Sequence, residues 1–595
     1  MKLTDHLEEG LPPPPAPDWE LREAPTSGTI EALLSELRLP ESLCRVLAAR
    51  GLGDPEEAKE FLRPRLDGLH DPELLRDAGR AADRILTAIT RGETILVHGD
   101  YDVDGICAAA LLTLWLRRLG AEVVPFVPHR IRDGYDLGEG GIEAAREAGA
   151  GLVVTCDSGI RAHDAVARLR AEGIDVIVTD HHTPGESLPP AHAVVNPSRS
   201  DCSYPDPGLA GAGVAYKLCQ LLGRKRGIAA EELHPHLDLV ALATVADLVP
   251  LRGENRILVR FGLKALRITG RPGLRTLMRV ARIDPGTLDA GSIAFGLAPR
   301  LNAAGRLGAA SDALRLLLTD DARVAAELAP ALEEMNGRRR AEDRRTFEAI
   351  ERQLAREFDP DRDRAVVVAG EDWHPGVIGI VASKVVERVY RPAVVIALGE
   401  GLARGSARSV PEVDLHRAVS GCAEHLERFG GHRQAAGLEL RPERIGSFRE
   451  ALNREVQEQL DGRVPRPRLR ADTPVRLEEL TEELHHFLSY LGPFGVGNPR
   501  PVFWSRGVRL KGQGRIVGSR HLKLALDRGG GAPLDAIGFG LGDRIRPEAI
   551  GRGPVDLLFR LEDNEYRGVR ALQAVCLDVR PAEQGLARRA DSGVA

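Results

Sequence analysis

The segment His98-Gly99-Asp100-Tyr101-Asp102-Val103-Asp104-Gly105 carries one imidazole and three carboxylates within eight residues. Further along lie Asp157 in Cys156-Asp157-Ser158-Gly159, the run Asp180-His181-His182, and Asp247 in Ala243-Thr244-Val245-Ala246-Asp247-Leu248-Val249-Pro250. An acid in so apolar a stretch as the last needs a partner or a metal ion, because an unpaired buried charge is strongly unfavourable. Mixed carboxylate and imidazole donors suit Mn2+, Mg2+ or Zn2+ rather than a soft metal. Two such ions about 3.5–4 Å apart bind the attacking hydroxide and the leaving oxygen of a phosphodiester together. That arrangement needs an acid to bridge the ions, and Asp157 is the natural choice. Any one of these aspartates alone reads as a helix N-cap or a solvated turn residue. The set His98, Asp102, Asp104, Asp157, His181 and Asp247 does not.

A parallel sheet would bring the set together. Short apolar runs alternate with amphipathic stretches from residue 94. The pattern predicts strands at 94–97, 123–127, 152–155 and 175–179, with helices at 106–119, 141–148 and 161–171. Continuous apolar strands separated by helices are the sequence form of a parallel sheet covered on both faces. Three of these strands run directly into the acidic and histidine clusters. In open α/β sheets the carboxyl ends of the strands line the ligand crevice, so the clusters should converge.

The rest of the chain is organised around this unit. A length of 595 residues implies about three or four domains. Residues 1–30, with Leu11-Pro12-Pro13-Pro14-Pro15, read as a disordered tail, and 31–92 as helical. The first α/β unit, with helices from Ala212 to Leu318, occupies 93–320. Residues 321–360 are charged and Ala-rich, and Pro330 should interrupt them, so a linker helix is expected from Ala331 for about 28 residues, or 42 Å. A smaller α/β unit follows at 361–465, then a Pro- and Arg-rich linker. Residues 472–582 alternate as in a small β-barrel, and 583–595 read as a loose tail. Net charge is -6, which disfavours nucleic acid on average, yet residues 500–570 hold 14 Arg and Lys against 8 Asp and Glu. The excess of Arg over Lys throughout fits a G+C-rich coding sequence and says nothing about phosphate. Seven dispersed cysteines without CxxC spacing argue for free thiols in a reducing compartment. No secretory leader pattern and no long apolar run is present, so a cytoplasmic location is expected.

In the order His98-x3-Asp102-x-Asp104, Cys156-Asp157-Ser158-Gly159, Asp180-His181-His182 and Thr244-Val245-Ala246-Asp247, the chain resembles the DHH phosphoesterase superfamily. Within it the chain is similar to the bacterial RecJ single-strand exonucleases. Pro299-Arg-Leu-Asn-Ala-Ala-Gly-Arg306, Trp373-His-Pro-Gly-Val-Ile-Gly379 and Gly430-Gly-His-Arg-Gln-Ala-Ala-Gly437 extend the likeness over roughly residues 30–580. The resemblance implies a DHH domain joined by the long helix to a DHHA1-type domain, then an oligonucleotide-binding (OB) barrel. It places one Mn2+ or Mg2+ ion on His98, Asp102 and Asp157, and a second on Asp104, Asp157, His181 and Asp247. His182 would contact the scissile phosphate, and Asp100 would be an accessory acid. Ser406 and Arg408 match a phosphate-gripping segment, and Arg130, Arg300 and Arg306 match basic positions along the channel. His432 either lines the crevice or packs internally. Phe503, Trp504 and Tyr566 are offered as stacking platforms, and Arg520, His521 and Lys523 as backbone contacts. The implied activity is metal-dependent 5′→3′ hydrolysis of single-stranded DNA to mononucleotides in recombination and repair. The implied partners are single-stranded DNA, single-strand-binding protein and a RecQ-type helicase, and a further C-terminal domain is expected to be absent. The residues themselves argue only for metal-dependent phosphoester hydrolysis. A DHH enzyme acting on very short oligoribonucleotides or small nucleotides, and a non-catalytic DNA-binding scaffold, stand as the alternatives.

Overall fold

The computed structural model describes residues 11–582 apart from 131, 135, 552, 567 and 568. It divides into two compact units, one formed by Leu62–Arg339 with Leu491–Arg500, the other by the residues on either side. In the first unit, strands β1 (Thr94–Gly99), β2 (Val123–Phe126), β3 (Ala150–Cys156), β4 (Asp175–Thr179) and β5 (Ala193–Val195) form a parallel sheet in the order β2-β1-β3-β4-β5. Successive residues point to opposite faces, and both faces are apolar. Ile95, Val97, Leu152, Val154 and Ile177 pack with the helices Ala78–Arg91, Val103–Arg118 and Gly211–Lys225. Leu96, Val153, Val176 and Val178 pack with Glu139–Glu147 and His163–Ala171 on the other side. Burial on both faces explains why these strands read as unbroken apolar runs. At three residues, β5 is too short to stand out as such a run.

From β1 the chain crosses to β2 on one side, and β3 returns on the other. The order of the strands therefore switches between β1 and β3. Beyond their carboxyl ends the two flanking loops part and leave a crevice.

The other unit departs from the sequence reading in two places. Residues 18–30 are not part of a tail: Asp18–Leu21 pairs in parallel with Arg468–Ala471, and a helix occupies Ser27–Leu37. The Trp19 indole donates to Asp578 at 2.7 Å, which anchors the strand. The helical stretch expected from residue 31 opens as two helices, Ser27–Leu37 and Glu41–Ala49, because Arg38 turns left-handed and Pro40 lacks an N–H. Residues 1–10 and 583–595 lie outside the described residues.

The long helix runs Ala322–Glu357, starting earlier than expected and continuing through Pro330. Proline there removes one backbone donor and crowds the carbonyl of Ala326. Ala325, Leu328, Ala329 and Leu332 are buried in the core of the first unit, and that burial outweighs the single lost bond. The unit boundary falls at Arg339, inside this helix.

A five-stranded mixed sheet includes Val366–Gly370, Ala393–Ala397 and Ala403–Arg408, beside the helix Ile378–Val389. A seven-stranded mixed sheet follows, ending in the long hairpin Val555–Tyr566 and Val569–Pro581. Asp472 lies at the start of this last region and is buried. Its carboxylate accepts from Arg22 Nε at 3.0 Å, Arg50 Nε at 2.8 Å, Arg50 Nη2 at 2.9 Å and the Val502 N–H at 2.9 Å. Asp472→Ala leaves the nearly buried Arg50 guanidinium without its counter-charge, which costs about 3–5 kcal/mol. Denaturant unfolding should show that loss, and a cost below about 1 kcal/mol would mean the guanidinium groups simply rehydrate.

Candidate active site

The acidic turn after β1 is a helix N-terminus. Asp102 accepts from the N–H groups of Asp104 at 2.9 Å and Gly105 at 3.1 Å, so the helix starts at Val103 rather than Ile106. Exposed N–H groups and the helix dipole both favour negative charge there. Asp104 turns to a second helix N-terminus, where its two oxygens accept from Gly211 N and Ala212 N, each at 2.7 Å. Asp157 follows β3 in a left-handed conformation, φ 62°. This backbone is costly for a non-glycine residue and is found where surrounding structure enforces it. Its N–H bonds to Thr179 O at 3.0 Å. A Cβ on Gly211 would lie 2.6 Å from Asp157 Cβ, so only glycine gives that acid room.

After β4, Asp180 is buried and bonded at every side. Its Oδ1 accepts from the N–H groups of His181 at 2.7 Å and His182 at 3.0 Å and from His182 Nδ1 at 2.7 Å, while Oδ2 accepts from Ile160 N at 3.1 Å. The two histidine carbonyls are held by Ser198 Oγ and Asn196 Nδ2, both at 2.9 Å. His181 is thereby aimed inward. Its Nε2 lies 3.0 Å from Asp157 Oδ1, 3.6 Å from Asp247 Oδ2 and 3.8 Å from Asp104 Oδ2. Asp247 comes from the C-terminus of the helix Leu237–Ala246.

Three sets of donor atoms fall within 4.8 Å of one another: Asp104, His181 and Asp247; Asp100, Asp102 and Asp157; Asp157, His181 and His182. Asp157 belongs to two of them. Asp100, read from sequence as accessory, stands with Asp102 and Asp157, whereas His98 joins none of the three sets. The His98 ring is fully buried against Phe126, 5.4 Å between centroids.

Charge in this crevice is under strain. Burial first, and neighbouring carboxylates second, push Asp100 and Asp157 well above the usual range, Asp104 to about 7 and Asp247 to about 8. Burial lowers His98 and His181 to about 4, which keeps both rings neutral, the form that ligates metals. Both His98 ring nitrogens, Asp100 Oδ1, Asp157 Oδ1 and His181 Nε2 are buried without a hydrogen-bond partner. Buried polar atoms without partners are rare in native proteins. Repelling carboxylates together with unsatisfied donor atoms fit divalent cations.

His182 behaves differently. Burial works to lower it, but the hydrogen bond and charge of Asp180 prevail and raise it to about 9. It is a cation at neutral pH beside a cluster of acids. Asp136 was not expected here; at φ 76° its Oδ1 accepts from Gly159 N at 2.6 Å and so fastens the loop after Asp157. Its position in a Gly-rich loop and the position of Asp180 at a strand end were the available sequence signals.

Residues 94–244 match the DHH family N-terminal domain, 363–458 the DHHA1 domain and 471–578 the RecJ OB domain. The single-stranded-DNA-specific exonuclease RecJ of Dickeya dadantii (strain 3937) is 39% identical over 577 residues, covering 93% of this chain and 98% of its own length. That of Escherichia coli (strain K12) is 37% identical over 568 residues, covering 91% and 96%. The chain belongs to the RecJ family. A crystal structure of RecJ from Thermus thermophilus in complex with Mn2+ superposes with a TM-score of 0.81 at 32% identity, covering 95% of this chain and 80% of that one.

The basic residues of this RecJ chain are placed unevenly. Arg130 lies over the Tyr101 ring, 5.0 Å from its centroid, next to the acidic turn. Arg300 is paired with Glu333 of the long helix and bonds Gly296 O at 2.5 Å, a structural engagement. Arg306 is in the same unit, one residue after Gly305, where an added Cβ would lie 2.5 Å from Tyr101 O. Ser406, Arg408 and His432 belong to the other unit. There Arg408 Nη1 bonds Ser406 Oγ at 3.2 Å, and a Cβ on Gly379 would touch both side chains at 3.0 Å. His432 is exposed, which excludes the packing alternative.

Of the aromatic residues, Phe503 is fully buried, 6.0 Å from Phe559 between centroids, so it is core and not a platform. Trp504 sits edge-on to Trp19, with Arg506 over its ring at 4.3 Å. The Tyr566 side chain lies outside the described residues. Arg520 and Lys523 are paired with Asp543 at 2.6 Å and Asp535 at 3.2 Å, and His521 Nδ1 accepts from Gly540 N at 3.0 Å.

If Asp180 holds the proton on His182, Asp180→Asn lowers the His182 pKa from about 9 toward its ordinary 6.5. Histidine NMR titration of the metal-free protein measures this. A value still near 9 would transfer the effect to Asp247 and Asp104.

Proposed function

We propose that the chain is a metal-dependent exonuclease that hydrolyses single-stranded DNA from its 5′ end to 5′-mononucleotides. One observation carries the reading: acids and histidines from three strand ends and one helix end meet in a buried cluster with unsatisfied donor atoms. Relatives that cover nine-tenths of the chain are described as single-stranded-DNA-specific exonucleases. In this reading His98, Asp100, Asp102 and Asp157 would hold one Mn2+ or Mg2+ ion, and Asp104, Asp157, His181 and Asp247 the other. Bound there, the cations supply Lewis acidity toward the phosphodiester and make water a competent nucleophile near neutral pH.

The protein's own groups do the rest. His182, protonated through Asp180, donates to a non-bridging phosphate oxygen and offsets its charge. Asp180 fixes the ring plane, so donation needs no reorganisation during the reaction. Arg130 supplies a cation at the mouth of the acidic turn. Ser406 and Arg408 bind a terminal phosphate, where the planar guanidinium matches two oxygens. Arg306 and His432 contact the strand, and Arg300 acts through its pair with Glu333. Single-strand-binding protein and a RecQ-type helicase as partners, a role in recombination and repair, and a cytoplasmic location belong to the same proposal. Among the described residues no helix is long and apolar enough to cross a membrane.

Strands labelled at either end, a duplex and a dinucleotide, incubated with Mn2+ or with chelator, test the reading. Mononucleotides should come first from the 5′ label and stop on chelation; first release from the 3′ label, or turnover in chelator, would overturn it. Asp157→Ala should abolish cleavage and leave single-strand affinity within about twofold. Arg408→Ala should slow 5′-phosphate strands more than 5′-hydroxyl strands, by about 10-fold or more if a charge-assisted contact of ~1.5–3 kcal/mol is lost. Equal losses on the two ends would remove that assignment.

A further inference from the structure

Leu491–Arg500 is distant in sequence from every residue of the acidic cluster, yet it belongs to the unit that carries that cluster. Leu251 N donates to Val496 O and Arg252 Nε to Gly497 O, both at 2.8 Å. Buried Arg256 reaches Leu491 O at 2.8 Å and Gly492 O at 2.9 Å. Asn498 Nδ2 braces the segment from within, on Leu491 O at 2.8 Å and Pro493 O at 2.9 Å. A Cβ on Gly495 would lie 2.7 Å from Leu251 Cδ1, so the segment seats closely. It splints the backbone that follows Asp247.

Asn255, 1% exposed, connects this splint to the site. Its Nδ2 donates to Pro250 O at 3.1 Å and to Gly208 O at 2.5 Å. Pro250 closes the turn after Asp247. Gly208 opens the turn that leads into Gly211 and Ala212, whose N–H groups hold Asp104. One buried amide therefore ties together two turns, one carrying Asp247 and the other holding Asp104. Its Oδ1 has no hydrogen-bond partner, so the side chain acts here as a donor alone.

We propose that Asn255, backed by the Leu491–Arg500 splint, is a positioning residue that sets the separation of Asp104 and Asp247 and with it the cation affinity of that pair. The proposal rests on the metal-dependent reading above and adds a residue that touches neither cation nor substrate. Groups behind metal ligands typically change affinity by about 10–100-fold when removed.

The test is Mn2+ binding to the full chain without DNA, followed by calorimetry and by the electron paramagnetic resonance of free Mn2+. Asn255→Ala should weaken binding by about 10-fold or more. Arg252→Ala, a change at an exposed side chain that removes only the bond to Gly497 O, should weaken it in the same direction by less. Single-strand affinity in chelator should stay at the wild-type value in both, and raised Mn2+ should recover turnover in Asn255→Ala. Wild-type Mn2+ affinity in a folded Asn255→Ala protein would overturn the proposal, as would a loss confined to DNA binding. Should Asn255→Ala not fold, unchanged Mn2+ affinity in Arg252→Ala would overturn it. Failure of the wild-type chain to bind Mn2+ or to cleave would instead remove the functional reading.

Discussion

Carboxylates of like sign are buried side by side at the strand switch, and the rest of the first unit is arranged to tolerate them. Coulomb repulsion at these distances rises as water is excluded. Within the protein, the chain supplies directed backbone N–H groups as the main compensation. Asp102 and Asp104 each take two, from different helix N-termini, and Asp180 takes three. The donors to Asp102 and Asp104 are fixed by their helices and do not rearrange when charge changes nearby. They hold the acids in place and leave part of their charge unanswered, the condition under which a divalent cation is bound tightly and in one position.

The histidines complete the same logic by going opposite ways. His181 is stripped of solvent and stays neutral, while its neighbour His182 is held protonated by Asp180. Adjacent residues of one type are thus held in two states, neutral and protonated, because one faces the acids and the other keeps a dedicated counter-charge.

Much of this was legible in sequence. The strands of the first sheet are apolar on both faces, so their runs stand out, and the acids at their ends follow by position. The convergence of Asp102, Asp104, Asp157, His181 and Asp247 follows from their places after strands and in an apolar helix, whereas the place of Asp100 beside Asp102 and Asp157, and of His98 outside the three donor sets, does not. What stayed hidden depends on contacts between distant residues. Pro330 looked like a helix break because local propensity cannot register the burial of Ala325, Ala329 and Leu332. Residues 18–21 looked like tail because their partner strand begins at Arg468. Phe503 and Trp504 are neighbours in an alternating strand, and only the sheet decides which of them faces the core. Asn255 carries no local sign of its role, since both of its acceptors are main-chain carbonyls.

The splint also orders events in time. Domains fold as units during synthesis, from the N-terminus onward. The unit that begins at Leu62 is different, because its last piece, Leu491–Arg500, is translated after an entire intervening α/β sheet. On the ribosome the acids and histidines are all present long before the segment that braces them. A nascent or truncated chain ending before Arg500 therefore carries the chemistry without its final support.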